Sequence, residues 1–326
     1  MNALTTITPA QLPAQPLPDP FTPAEKAMVL GYVNSAIAAS TLRAYAQDMK
    51  AFRAWCEGRY LSPLPADPAA VATYITRLAK HGRKAGGIAR VMASIAHYHR
   101  QAGVDPGPTA HPKVKAALRG IRRSIGTAKT RKAAATADIV GRMLAACGDN
   151  MIGFRDRALL AVGFAAALRR SELAAIRVED LEYTADGIRL LIPKSKTDQE
   201  GTGQTVAIPR GCRICPVEAL AAWMKAAGIT TGPVFRPVAL GGRVGSEALS
   251  GEAVARIVKR HAVRCGLDRA AFSGHSLRAG FITSAAEAGA SIWKISEVSR
   301  HVSVDVLRGY VRSAELFKEH AGSTFL

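Results

Sequence analysis

Ser273-Gly274-His275-Ser276-Leu277-Arg278 sets an imidazole and a guanidinium three residues apart, just where a segment that reads as a helix, Leu277 to Ala288, begins. On a helix that spacing puts both side chains on one face. His301 follows, and Tyr310 lies nine residues beyond it. Upstream, Arg169 and Glu172 form an Arg-x-x-Glu pair at the end of the apolar run Ala158 to Leu168. Each pair alone is a common surface arrangement, and the joint order of all of them is the specific signal. Guanidinium and imidazole groups suit an anion that gathers charge on its oxygens, and a tyrosine hydroxyl can attack such a centre.

Outward from these residues the pattern is mostly helical. A helix capped by Thr136 and running through Ala146, a buried helix from Arg155 to Leu168, and helices over Val217 to Ala227, Gly251 to Cys265 and Ile292 to Arg300 are expected. Ile188 to Ile192 and Thr205 to Ile208 are rich in branched residues and read as two strands. The loop between them, Pro193 to Gly201, carries Lys194 and Lys196.

The first part of the chain is different in character. Five prolines within residues 1 to 20 mark a segment expected to be disordered. Thr22-Pro23-Ala24-Glu25 reads as a helix start with a capping box. In Ser40 to Trp55 the residues Leu42, Tyr45, Met49, Phe52 and Trp55 repeat at helical spacing, and further helices are expected over Pro68 to Lys80 (capped by Asp67), Ile88 to Ala102 and Lys113 to Ile125. Gly126 to Ala135 is small, polar and basic and reads as a linker that could itself lie along a phosphate backbone. The domain reading is therefore 1–21 as a tail, 22–125 as a basic helical bundle, 126–136 as a linker and 137–326 as the unit that carries the chemistry.

Charge points to the partner. The 326-residue chain has a formal net charge of +19. Residues 40 to 132 hold 18 Lys and Arg against four acids, an excess of 14. A positive field concentrated in one domain attracts nucleic acid and releases its counterions. Arg43 and Lys50 on one helix, Arg83, Lys84 and Arg90 around another, and Arg256, Lys259 and Arg260 in the second domain are candidate DNA contacts, to phosphate more than to base edges.

Other classes fit less well. Five cysteines, an odd number in a long chain, suit reduced thiols in a cytoplasm. Cys212-x-x-Cys215 invites a zinc reading, but no second pair has ligand spacing, so no metal is expected. The run Ala158 to Leu168 is far too short to span a bilayer, and the first residues lack the pattern of an export signal. A metal-dependent nuclease would need clustered Asp and Glu, a pattern this chain does not show.

These residues resemble the tyrosine recombinase (phage integrase) family, and its Cre-like branch in Ser40 to Cys56, Pro193 to Gly201 and Ser273 to Arg312. Leu168-Arg169-Arg170-Ser171-Glu172-Leu173 matches the family's first-arginine box, and His275 and Arg278 match its His-x-x-Arg box. The resemblance implies that Arg169 is catalytic with Glu172 as its acidic partner, that His301 takes the His-or-Trp position, and that Tyr310 is the nucleophile. It also implies that Lys196 is the catalytic lysine, with Lys194 as competitor. Arg300 stands where the family often has Gly, and Ala167 replaces a common Gly.

The implied architecture is mainly α with a small antiparallel β-sheet, a two-domain C-shaped DNA clamp with a SAM-like core-binding domain and a catalytic domain. A C-terminal segment, Ser313 to Leu326, would dock on a neighbouring protomer through Leu316 and Phe317. The implied activity is site-specific DNA strand exchange without cofactor, metal or ATP, by a homotetramer on synapsed double-stranded sites, with accessory DNA-bending proteins as possible partners. It would act in the cytoplasm, at the nucleoid. The alternatives are a DNA-binding regulator that lacks the chemistry and a type IB topoisomerase-like enzyme that relaxes supercoils.

Overall fold

The structure is a computed structural model that describes residues 21–128, 132–195, 201–301 and 307–310. The proline-rich residues 1–20, Lys196, and the expected docking segment with Leu316 and Phe317 lie outside the described residues. The chain divides into two compact units, Met1–Lys129 and Thr130–Leu326. Its architecture is mainly α with one three-stranded antiparallel sheet.

The first unit is helical. Helix α1 (Pro23–Ser35) opens with a capping box: Thr22 N donates to Glu25 Oε2 at 2.7 Å, and Glu25 N donates to Thr22 Oγ1 at 3.2 Å. Helices α2 (Ala39–Glu57), α3 (Pro68–Lys80), α4 (Ala85–Gln101) and α5 (Pro112–Ile125) bring their apolar stripes together. Met49, Phe52 and Trp55 of α2 pack with Val71, Tyr74 and Ile75 of α3 and Ile88, Val91 and Ile95 of α4. The Tyr74 ring lies 5.0 Å from Phe52 and 5.1 Å from Trp55, tilted against both. Within this apolar core α2 carries a buried carboxylate, Asp48. Arg90 Nε and Arg83 Nη2 each reach it at 2.8 Å, which ties α2 to α4. A buried carboxylate persists only when paired in this way.

The second unit is built around α7 (Met151–Ala165), which is apolar on nearly all sides and therefore enclosed. It packs against α6 (Ala137–Ala145), α8 (Arg170–Ala175), α9 (Pro216–Ala227) and α11 (Ser276–Glu287). Two further helices, α10 (Gly251–Arg264) and α12 (Ile292–Ser299), and a helical stretch at 307–310 complete the described part. The sheet runs β1 (Leu181–Tyr183), β2 (Gly187–Ile192), β3 (Gln204–Pro209) in antiparallel order, with Ile188 opposite Ile208 and Leu190 opposite Val206. Those four side chains are buried, as the two-residue period of a half-covered sheet requires.

Two expectations shift. The buried helix spans Met151–Ala165 rather than Arg155 to Leu168. Asn150 caps its start through Gly153 N at 2.9 Å. Its end is set by Ala167, whose φ of 46° is incompatible with continuing the helix, so Leu168 belongs to a turn although its apolarity continues the run. Strand β1 was not expected; at three residues it is too short for its alternation to be read.

The C-terminal part of the expected linker is also fixed in place. Ala133 N donates to Ala271 O at 2.8 Å, Ala135 N to Ser276 O at 2.9 Å and Ala137 N to Ser284 Oγ at 2.9 Å, so this stretch is strapped along the start of α11. Gly280 permits the approach, since a Cβ there would sit 1.7 Å from Ala135 O. Gly280→Ala is expected to destabilise the chain by about 1–3 kcal/mol through this overlap. Gly120→Ala, on an open face of α5, is expected to stabilise it by about 0.5–1 kcal/mol. Urea denaturation of the full chain checks both.

Candidate active site

The turn between α7 and α8 organises the site. With Ala167 in the left-handed region, the chain reverses and turns its carbonyls inward. Ala167 O accepts from Arg278 Nη1 at 2.9 Å, and Ala166 O accepts from Arg300 Nη1 at 3.4 Å. Arg169 follows in extended conformation as the N-cap residue of α8, and so begins that helix instead of ending α7 as its place after an apolar run had suggested. Glu172, at the third position of α8, folds back on it. Its Oε2 accepts from Arg169 N at 2.9 Å and its Oε1 from Arg169 Nη1 at 2.6 Å.

The ends of two other helices meet this pair. Arg300 caps α12 in the left-handed region (φ 52°) and donates through Nη2 to Glu172 Oε2 at 2.7 Å. Its carbonyl accepts from Arg169 Nη2 at 3.3 Å. Arg278 lies in the first turn of α11, only 1% exposed, and its Nη2 donates to His301 Nδ1 at 3.2 Å. Ser299 Oγ lies 2.9 Å from the same nitrogen. His275 is the N-cap residue of α11 and reaches solvent, so it precedes the helix on which the sequence had set it. Tyr310 is half-buried, packed with Leu307 against Ile282, Ala286 and Ile295, and close enough to Arg278 to bear on its charge.

The electrostatics follow from this crowding. Burial pushes the Glu172 carboxyl up, but the hydrogen bonds and charges of Arg169 and Arg300 pull it below the ordinary range. Burial, then the charges of Arg169 and Arg300, lower Arg278 to about 9, still charged at neutral pH. Burial and Arg278 bring His301 down to about 4, and partial desolvation with Arg278 and Arg169 lowers His275. Both imidazoles are therefore neutral at pH 7. Since His301 Nδ1 accepts from Arg278, the ring proton sits on Nε2. Two guanidinium groups, those of Arg169 and Arg300, bond the Glu172 carboxylate, and Arg278 stands near enough for their charges to lower its own pKa. Such a site is stabilised by an anion with several acceptor oxygens. Among the described residues no group of three His, Cys, Asp or Glu could hold a metal ion.

Two models of known families match the chain: the phage integrase family over residues 134–316, and the N-terminal SAM-like domain of phage integrases over residues 32–103. The integrase/recombinase xerD homolog of Selenomonas ruminantium is 38% identical over 288 residues, covering 86% of this chain and 84% of that protein. The chain belongs to the phage integrase family. The recombinase cre of Escherichia phage P1 is 27% identical over 285 residues, 82% of each chain. In fold, a lambda integrase tetramer bound to a Holliday junction superposes with a TM-score of 0.60 at 19% identity, covering 87% of this chain and 76% of that one.

Within this phage integrase, the structure pairs Arg169 with Glu172 and Arg278 with His301, and places His275 and Tyr310 near enough to Arg278 for their charges to interact. Lys196 lies outside the described residues, whereas its competitor Lys194 is described and exposed. The expected DNA contacts divide. Arg43 and Lys50 are exposed on α2, Lys84 is exposed at the start of α4, Lys259 is half-buried on α10, and Arg256 is exposed beside Glu252 at 3.6 Å. Arg83 and Arg90 are bound to Asp48, and Arg260 to the buried Asp156 that also holds Arg155 and His261, so these three present less positive charge than a sequence count gives them. Arg300 was noted in the sequence only as a departure. Its signal was a charged residue at a position that favours glycine.

The His301 shift has a definite sign. A native ring with a pKa of about 4 binds fewer protons than an unfolded one at 6.5. Its contribution to stability is complete above pH 6.5 and is lost as pH falls towards 4. Wild type is therefore expected to lose more stability than His301→Gln between pH 6.5 and 4, as read by chemical denaturation at each pH; parallel curves would contradict the assignment.

Proposed function

We propose that the chain is a site-specific tyrosine recombinase that cleaves and rejoins DNA through a 3′-phosphotyrosyl intermediate. The observation that carries the reading is the gathering of three guanidinium groups, Arg169, Arg278 and Arg300, near Glu172 and Tyr310, with two neutral imidazoles beside them.

A phosphodiester is an anion whose oxygens suit these guanidinium groups. The Tyr310 hydroxyl attacks the phosphorus, the P–Oη bond forms and the P–O5′ bond breaks. Arg169 and Arg278 hold the nonbridging oxygens as charge builds on them. His301, with its proton on Nε2, donates to one of those oxygens. His275 is neutral and can take the Tyr310 proton. Lys196 gives a proton to the leaving 5′ oxygen. The energy of the broken ester is kept in the tyrosyl ester, so an incoming 5′ hydroxyl reverses the step without ATP. The basic first unit contributes phosphate contacts through Arg43, Lys50 and their neighbours, and binding weakens with salt. Assembly as a tetramer on two duplex sites is supported by the lambda integrase tetramer on a Holliday junction.

In the expected outcome, Tyr310→Phe binds duplex DNA as wild type does and forms no covalent adduct on a denaturing gel. An adduct from that variant would remove Tyr310 from the role. Lys196→Ala is expected to lower cleavage of an ordinary strand by about 10²–10⁴-fold, and a 5′-thio leaving group, which needs no proton, is expected to restore it.

A further inference from the structure

The side chain with least reason to be where it is, on backbone grounds, is Arg300. It sits at φ 52° and ψ 47°, a conformation that disfavours any residue with a Cβ and that glycine adopts freely. Its side chain is nonetheless only 5% exposed, and its guanidinium makes three directed bonds: to Glu172 Oε2 at 2.7 Å, Val298 O at 3.3 Å and Ala166 O at 3.4 Å. Its Nε is buried without a partner. A buried guanidinium on a strained backbone persists only where its contacts return more than they cost.

Those contacts join what would otherwise be separate pieces. Glu172 belongs to α8 and Arg300 ends α12, so the ion pair fastens the end of α12 to the start of α8. His301 is the next residue after Arg300, and its Nδ1 position relative to Arg278 is set by the same fastening. The Arg300 carbonyl adds a bond to Arg169 Nη2. With Arg300 on Oε2 and Arg169 on Oε1 and through its main-chain N, the carboxylate of Glu172 is fully engaged before any phosphate arrives.

We propose that Arg300 is a positioning residue for strand cleavage: it clamps Glu172 from the side opposite Arg169 and so holds Arg169, Arg278 and His301 in one arrangement. This rests on the reading of Tyr310 as the DNA-cleaving nucleophile. Arg300 acts on the rate of the chemical step through Glu172, its own guanidinium being buried and bonded to that carboxylate.

The test is single-turnover cleavage of a nicked duplex substrate alongside equilibrium binding of the same duplex, for wild type, Arg300→Gly and Arg300→Lys. Arg300→Gly relaxes the backbone and removes the clamp. It is expected to bind with a Kd within about twofold of wild type and to cleave about 10- to 100-fold more slowly. Arg300→Lys, which keeps a cation within reach of Glu172, is expected to recover part of the rate. If the glycine variant fails to fold, Arg300→Gln takes its place with the same expectation. Cleavage at the wild-type rate would overturn the proposal, as would affinity falling in parallel with rate, or a lysine variant no faster than the glycine one. Failure of wild type itself to form an adduct would overturn the recombinase reading instead, so the two failures are distinguishable.

Discussion

One buried carboxylate, Glu172, ties the start of α8 to the end of α12. It is 3% exposed at its side chain and bonded to guanidinium groups from two different parts of the chain. Remove its negative charge and Arg169, Arg278 and Arg300 would repel one another in a space with little water. With it in place, two of the three guanidinium groups are bonded to its oxygens and the cluster is held close. The left-handed turns at Ala167 and Arg300 serve the same end, since they aim the carbonyls and the cap that hold these cations.

The same device recurs outside the site. Asp48 in the first unit is clasped by Arg83 and Arg90, and Asp156 in the second by Arg155, Arg260 and His261. In a chain with a net charge of +19, each buried acid offsets the charge of particular cations, even where, as at Arg90 and Arg260, the side chain still reaches solvent. The positive field at the surface is therefore set less by the total than by which exposed lysines and arginines are not offset by a buried acid. Arg43 and Lys50 on α2 are among them.

Most of the helices could be read from the sequence because their apolar residues repeat strictly and their caps use side chains with a known preference. Asp67 before Pro68 and Thr22 before Pro23 define their helix starts directly. Spacing and resemblance pointed to Arg169, Glu172, His275, Arg278, His301 and Tyr310, side chains that the structure places in one region of the second unit. Three things could not be read. An apolar run does not reveal where a helix stops, so the turn at Ala167 was hidden inside Ala158 to Leu168. A charge count does not reveal which cations pair with buried acids, so Arg83, Arg90 and Arg260 looked equivalent to Arg43. And a single substitution at a glycine-favouring position does not reveal that the new side chain turns inward, which is why Arg300 drew notice only as a departure. Each depends on contacts between residues far apart in the chain.

The central claim is that this cationic cluster activates one tyrosine against DNA phosphorus. Mass spectrometry of the proteolysed covalent complex, trapped on a nicked duplex, tests it most directly. The nucleotide adduct is expected on the peptide that contains Tyr310 and on no other. An adduct on a different residue, or DNA cleaved with no protein attached, would contradict it.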